Sequence, residues 1–248
     1  MSAQGNRPSS WNGKAAFAAT RWSMVLAAGG DHAGTNTRRA LEELIRIYWF
    51  PVYAYARRQG QATGGAEDLT QDFFTQLLEK NSLAGLDRSK GTFRSFLLAS
   101  LKHFLANERD KGRAVKRGGG VPPVALDALD AEARYAIEPV DDMTPERLFD
   151  RRWALAVLDQ VLARLRQEYS DTGKGRLFDH LKDALAGSAE SAGYAEIAAR
   201  LGMTEGAVKV AVHRMRRRYR DLLRSEVGQT VDSPHQVGEE IAYLLKCL

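Results

Sequence analysis

Lys209, His213, Arg214, Arg217 and Arg220 recur so that, on a helix, they form one cationic ridge, with Arg216 beside it. From Lys209 to Arg224 there are seven Lys or Arg against the single Asp221. A merely solvated helix interleaves acids to gain i,i+4 pairs. An unbroken positive ridge instead neutralises phosphates and gains affinity by releasing condensed counterions. A second set has opposite chemistry. Asp68, Gln71, Asp72 and Thr75 lie on one side of the stretch AEDLTQDFFTQLLEK, away from Leu69, Phe73 and Leu77. Carboxylates and an amide in such a strip suit hydrogen bonds to a basic partner helix. A solvated face, with acids favoured near a helix N-terminus, is the plainer reading of that strip.

The elements that must position the ridge are legible around it. Gly193–Leu223 reads as a short helix, a tight turn and a long basic helix, the outline of a helix-turn-helix. Ala195, Ile197, Ala198 and Leu201 define one face of the first helix. Gly202 stands where a sharp turn needs positive φ. Thr204 is placed as N-cap of the second helix. Val208, Val212, Met215, Tyr219 and Leu222 recur at helical spacing and should pack inward. Val210 stays on the outer side, where it could touch a thymine methyl.

The rest of the chain is helical in pattern. Helices are expected over Arg21–Ala28, Thr35–Arg58 (split or kinked at Pro51), Ala66–Lys80, Thr92–Lys111, Thr144 to about Glu168, and Lys174–Ala186. Val237, Ile241, Leu244 and Leu245 suggest a small closing helix. Turns are expected at Gly60–Gly65 and a loop at Asn81–Gly91. No segment alternates convincingly, so the fold class is all-α: two small helical domains joined by an acidic linker, the second carrying the helix-turn-helix. The expected division is an N-terminal extension (1–34), a first helical domain (35–115), the linker (116–143), the helix-turn-helix domain (144–227) and a C-terminal extension (228–248).

Bulk properties agree with a polyanionic partner. The 248 residues carry a net charge of +5, with a sequence pI of about 9.3. Charge is also segregated. Lys102–Arg117 holds six Lys or Arg against two acids, and Gly118–Asp150 holds eight Asp or Glu against two Arg. A lone cysteine, Cys247, excludes an internal disulfide framework and a Cys-based zinc cluster. No apolar run nears the roughly 20 residues that cross a bilayer. The N-terminus lacks a secretory apolar core. A cytoplasmic setting without membrane attachment is expected. The five histidines show no metal-ligand spacing, and Thr172–Gly175 lacks the upstream glycine, the following Ser or Thr and the preceding strand of a phosphate loop. No catalysis and no cofactor are expected.

Two separated motifs resemble one family. Ala66, Glu67, Asp68, Leu69, Gln71, Asp72 and Phe74 are similar to the core-polymerase-binding helix of bacterial sigma factors of the extracytoplasmic-function group. FRSFLLASLKHFLANERDKGR, residues 93–113, resembles that family's helix that melts and reads the minus-ten promoter element. The helix-turn-helix resembles its reader of the minus-thirty-five element. The resemblance covers about residues 35–115 and 150–225.

It implies that Asp68, Gln71, Asp72 and Thr75 contact core RNA polymerase. It implies that Arg88, Lys90, Lys102, His103, Asn107, Lys111 and Arg113 serve the minus-ten region. Thr204, Lys209, Val210, His213, Arg214, Arg216 and Arg217 would then face the minus-thirty-five duplex. Many family members carry Asn where His103 stands and Asp where Asn107 stands. The implied function is promoter-specific transcription initiation, with core polymerase and promoter DNA as partners. An anti-sigma protein or a regulatory kinase as a further partner stays open at this point. So does the alternative of a free-standing helix-turn-helix regulator that does not join polymerase.

Overall fold

The computed structural model describes residues 35–79, 91–114, 132, 135–136, 143–186 and 191–248. The described residues hold eight α-helices and a 3-10 turn, and no strand. In chain order these are α1 (Thr35–Arg58), α2 (Thr63–Glu79), α3 (Phe93–Ala114), α4 (Pro145–Asp171) and α5 (Gly175–Leu181). The 3-10 turn (Lys182–Ala186), α6 (Ser191–Leu201), α7 (Glu205–Gly228) and α8 (Gln236–Lys246) follow. The expected all-α class is what the chain adopts.

Local signals set most boundaries. Pro51 has no N–H to donate, and α1 answers with non-helical torsions at Tyr48 (φ −107°, ψ 15°), three residues upstream. Gly60 closes the turn after α1 at φ +89°. Thr144 caps α4 by accepting from the Arg147 N–H at 3.3 Å, and Pro145 fills the first helical position. Three expectations need correction. Helix α2 begins at Thr63, so Gly64 and Gly65 lie inside its first turn and not in a loop. Helix α3 runs through Gly112 to Ala114. The stretch after Lys174 is a seven-residue helix that tightens into 3-10. The expected helix at Arg21–Ala28, the loop 81–90 and most of 116–143 lie outside the described residues.

Two apolar cores result. The first collects Leu44, Tyr48, Val52 and Tyr53 of α1, Phe73, Phe74 and Leu77 of α2, and Phe93, Leu97, Leu101 and Phe104 of α3. It is completed by Phe149, Trp153 and Val157 of α4, Val227 at the end of α7, Val231, and Leu244 of α8. The second collects Val161 and Leu165 of α4, Phe178, Leu181 and Ala184, Ala198 of α6, and Val208, Val212, Met215 and Leu222 of α7. Helix α4 therefore passes from one core to the other within a single turn, between Val157 and Val161. Helix α7 also passes between the cores near its end, from Leu222 to Val227.

Candidate nucleic-acid interface

The second core sets the relation of α6 to α7. Gly202 sits at φ +64°, and around it Met203 N donates to the Ala198 carbonyl (2.9 Å) and Gly202 N to the Ala199 carbonyl (3.4 Å). That pair of reversed bonds closes α6 in a Schellman arrangement and sends the chain into α7. Thr204 Oγ1 accepts from the Ala207 N–H at 3.2 Å, the expected cap. With Val208, Val212, Met215 and Leu222 buried, Lys209, Val210, His213, Arg214, Arg217 and Arg220 stand exposed on the opposite side. Val210 is a large apolar residue left 50% exposed between cations. On α6, Ala195 is exposed and, among the described side chains, only Ala198 is buried, so the inward face there is narrower than expected.

Not every cation of α7 is available to a ligand. Arg216 is half-buried and donates from Nε (3.0 Å) and Nη2 (2.6 Å) to the Ala184 carbonyl at the end of the 3-10 turn. It fastens the turn beneath α7 and does not share the ridge. Arg218, which sequence reasoning passed over, grips Glu168 of α4 through both Nε (2.7 Å) and Nη2 (2.6 Å). That guanidinium holds the Glu168 carboxyl below the usual carboxylate range. Lys209 reaches Glu205 at 2.7 Å, a pair that leaves both side chains about half exposed. Such an exposed pair contributes little and breaks readily for a phosphate.

A second surface lies on α2 and α3. Asp68 and Asp72 are exposed and Gln71 and Thr75 half-exposed, while Phe73, Phe74 and Leu77 are buried. The polar strip thus faces outward as the spacing predicted. On α3, Lys102, His103 and Asn107 are exposed. His103 and Asn107 rim a cleft of about 280 Å³ with Ser100 and, across from α2, Gln76. Phe73, Phe104 and Leu77 complete its lining. The rim is polar, and the two rings behind it belong to the first core. Gln76 was missed by sequence reasoning, although it lies three residues from Phe73 on α2. Lys102 is held by Glu146 of α4 at 2.7 Å. The bond to Lys102 lowers the Glu146 carboxyl pKa and raises that of the ammonium. Arg88 and Lys90 lie outside the described residues. So do the side chains of Lys111 and Arg113, whose backbone belongs to α3.

One acid of the interval 116–143 meets a cation of α1. Glu132 accepts from Arg57 Nε (3.0 Å) and Nη2 (2.7 Å) and from the Tyr53 hydroxyl (2.5 Å). The Arg57 bond draws the Glu132 carboxyl below its usual range. Among the described residues, no group of His, Cys, Asp and Glu could hold a metal, and no helix is long and apolar enough to cross a membrane.

The chain is 28% identical over 212 residues to the ECF RNA polymerase sigma factor SigE of Mycolicibacterium smegmatis, a match that spans 85% of this chain and 71% of that protein. No protein-family model matches the chain. No solved structure matches it.

Proposed function

We propose that the chain is a sigma factor that binds core RNA polymerase and directs promoter-specific transcription initiation. The observation that carries this reading is the recognition helix. Its apolar stripe is spent on the second core, so Lys209, His213, Arg214 and Arg217 project as a continuous cationic ridge with Val210 between them. Phosphate contacts from the arginines set affinity, and contacts of Lys209, Val210 and His213 to base edges set choice of sequence. The distant likeness to a curated sigma factor runs through both helical regions and adds a role in transcription initiation.

In this reading α2 docks on core polymerase through Asp68, Gln71, Asp72 and Thr75. Helix α3 opens the minus-ten region, with the cleft beside His103, Asn107 and Gln76 receiving an unstacked base. Arg88, Lys90, Lys102, Lys111 and Arg113 neutralise the backbone there. The helix-turn-helix binds the minus-thirty-five duplex. Domains 35–115 and 144–227 act as the two grips, and the acidic interval between them spaces the grips. The protein works in the cytoplasm, without a cofactor and without catalysis of its own.

Co-elution with purified core polymerase tests the docking. The full chain should elute with core as a stoichiometric complex, and Asp68→Ala with Asp72→Ala should abolish it. A chain that binds DNA yet never co-elutes with core is a free-standing regulator.

A further inference from the structure

Among the described residues, four large apolar side chains stay at least 40% exposed. One is Val210 on the cationic ridge. The other three, Tyr243 (40%), Leu245 (55%) and Leu248 (48%), lie together at the end of α8. A single exposed apolar residue is ordinary, but a cluster on one short helix marks a surface that something covers.

The inner side of α8 is fixed by its own fold. Leu244 enters the first core, and Val237 packs against it. Arg94 of α3 donates to Glu240 of α8 (2.7 Å) and to Asp150 of α4 (2.6 Å). The Tyr243 hydroxyl donates to Asp150 (2.5 Å), and the Arg94 guanidinium lies 4.1 Å from the centre of the Tyr243 ring. These anchors set the rotation of the helix and leave Gly238, Ala242 and Leu245 exposed on the far side. At about 100° per residue the three fall within about 60° of one another. Beside Leu245, Ile241 and Leu248 line a groove with Leu158 of α4 and Leu223 of α7. Helix α8 therefore carries apolar residues on both sides, the mark of a helix covered on both.

The charges along the outer line say what covers it. Glu239 and Lys246 are exposed, and both flank the line on the same edge. They stand about 10 Å apart along the axis, two turns. Pairs within one helix form at three or four residues, and at that spacing each of these two meets only Ala242 and Tyr243 inside α8. Neither has an ion-pair partner among the described residues. A second α8 laid antiparallel, with the two-fold axis between Ala242 and Tyr243, sets Glu239 of each copy opposite Lys246 of the other. The same register brings Leu245 level with the gap between Gly238 and Ala242 of the other copy, where small residues let the helices approach closely. The face is complementary to itself, as a two-fold contact requires.

We propose that the outer face of α8 is an interface between two copies of this chain, packed antiparallel through Leu245 and closed at each end by Glu239 and Lys246. One helix pair is a small contact, so the dimer is weak and forms as concentration rises. It forms whether or not the chain joins polymerase.

Sedimentation equilibrium of the full chain under reducing conditions tests this. The mass should rise from 27.5 kDa toward twice that value as the chain is concentrated. Leu245→Glu should hold it at 27.5 kDa without lowering the melting temperature, because Leu245 is already exposed. Glu239→Lys alone and Lys246→Glu alone should each weaken association about tenfold, as like charges then face each other, and the two together should restore it. A second arm needs no charge change. Ala242→Cys, in a Cys247→Ser background, should form an intermolecular disulfide with oxidised glutathione, because it sits beside the two-fold axis. Ala99→Cys, exposed on α3, should not. If the parent stays at 27.5 kDa up to about 0.5 mM, the face serves a different protein or none, and the interface between copies is overturned. Association that survives Leu245→Glu overturns its placement on α8. Loss in both single charge variants without recovery in the double overturns the antiparallel register.

Discussion

Tyr48 and Trp153 lie face to face, with ring centroids 3.6 Å apart and planes 4° from parallel, one from the kink of α1 and the other from α4. Phe93 and Phe149 tilt against the same indole at 5.7 and 5.8 Å. This stack is where α4 meets the first helices. The kink at Tyr48, forced from Pro51, is what turns its ring toward α4.

Trp153→Ala should therefore lower stability by about 3–5 kcal/mol, through lost burial and the cavity left behind. Thermal unfolding should fall by roughly 10 °C for a chain of this size. Trp153→Phe removes the unpartnered indole N–H together with some volume, and should sit much closer to the parent. Equal losses in the two variants would contradict the assignment of the stack as the central contact.

Neighbouring arginines on α7 should behave oppositely. Arg214→Ala and Arg217→Ala should weaken binding to promoter duplex and reduce the salt slope by about one each, as a phosphate contact is lost. Their melting temperatures should not move. Arg216→Ala should lower stability by about 1.5–3 kcal/mol, because it deletes charged bonds to the Ala184 carbonyl. Affinity titrations at several salt concentrations beside thermal melts separate the two behaviours.

Thr204→Ala removes the cap of α7 and should cost about 1 kcal/mol, with Thr204→Ser restoring nearly all of it. Thermal melts check the stability. Promoter affinity should follow it, since Lys209 opens the second turn of α7.

Acid should loosen the carboxylate pairs. The Glu146, Glu168 and Glu132 carboxyls are held below their usual range by Lys102, Arg218 and Arg57 respectively. A depressed folded-state pKa contributes stability above the unfolded value and loses it as pH falls through the folded value. Unfolding midpoints should thus be level from pH 8 to 6 and fall below the ordinary carboxylate value of about 4.3. Glu146→Gln should make that decline shallower. A flat response down to pH 3 would speak against these pairs.

The sequence made the helical frame legible wherever a single residue dictates local geometry. Thr144 with Pro145, Gly202 and Thr204 each mark a boundary by an unmet N–H or a positive φ, and the structure puts caps and turns there. Thr35–Arg58 follows from its apolar period, with Pro51 foretelling the kink. Gly64 and Gly65 misled because glycine, though a poor helix former, is tolerated in the first turn when Ala66, Phe73 and Phe74 have a core to enter. Exposure of Asp68 and Asp72 followed from the burial of Phe73 and Leu77, a purely local inference.

What stayed hidden depends on partners far away in the chain. Arg216 and Arg217 are adjacent and chemically identical, yet about 100° of helical rotation puts one on the Ala184 carbonyl and the other in the open. Arg94 reads as an ordinary helix-start cation until Asp150, Glu240 and Tyr243 converge on it. The passage of α4 between two cores leaves no local mark, since Val157 and Val161 continue one apolar stripe.

The central claim is that this chain gives core RNA polymerase its promoter choice. Run-off transcription with purified core enzyme and a library of promoter sequences tests it most directly. Addition of the chain should yield transcripts of defined start from a subset of templates, and Arg214→Ala with Arg217→Ala should remove them. Core that never initiates with this protein on any template of a broad library would contradict the account.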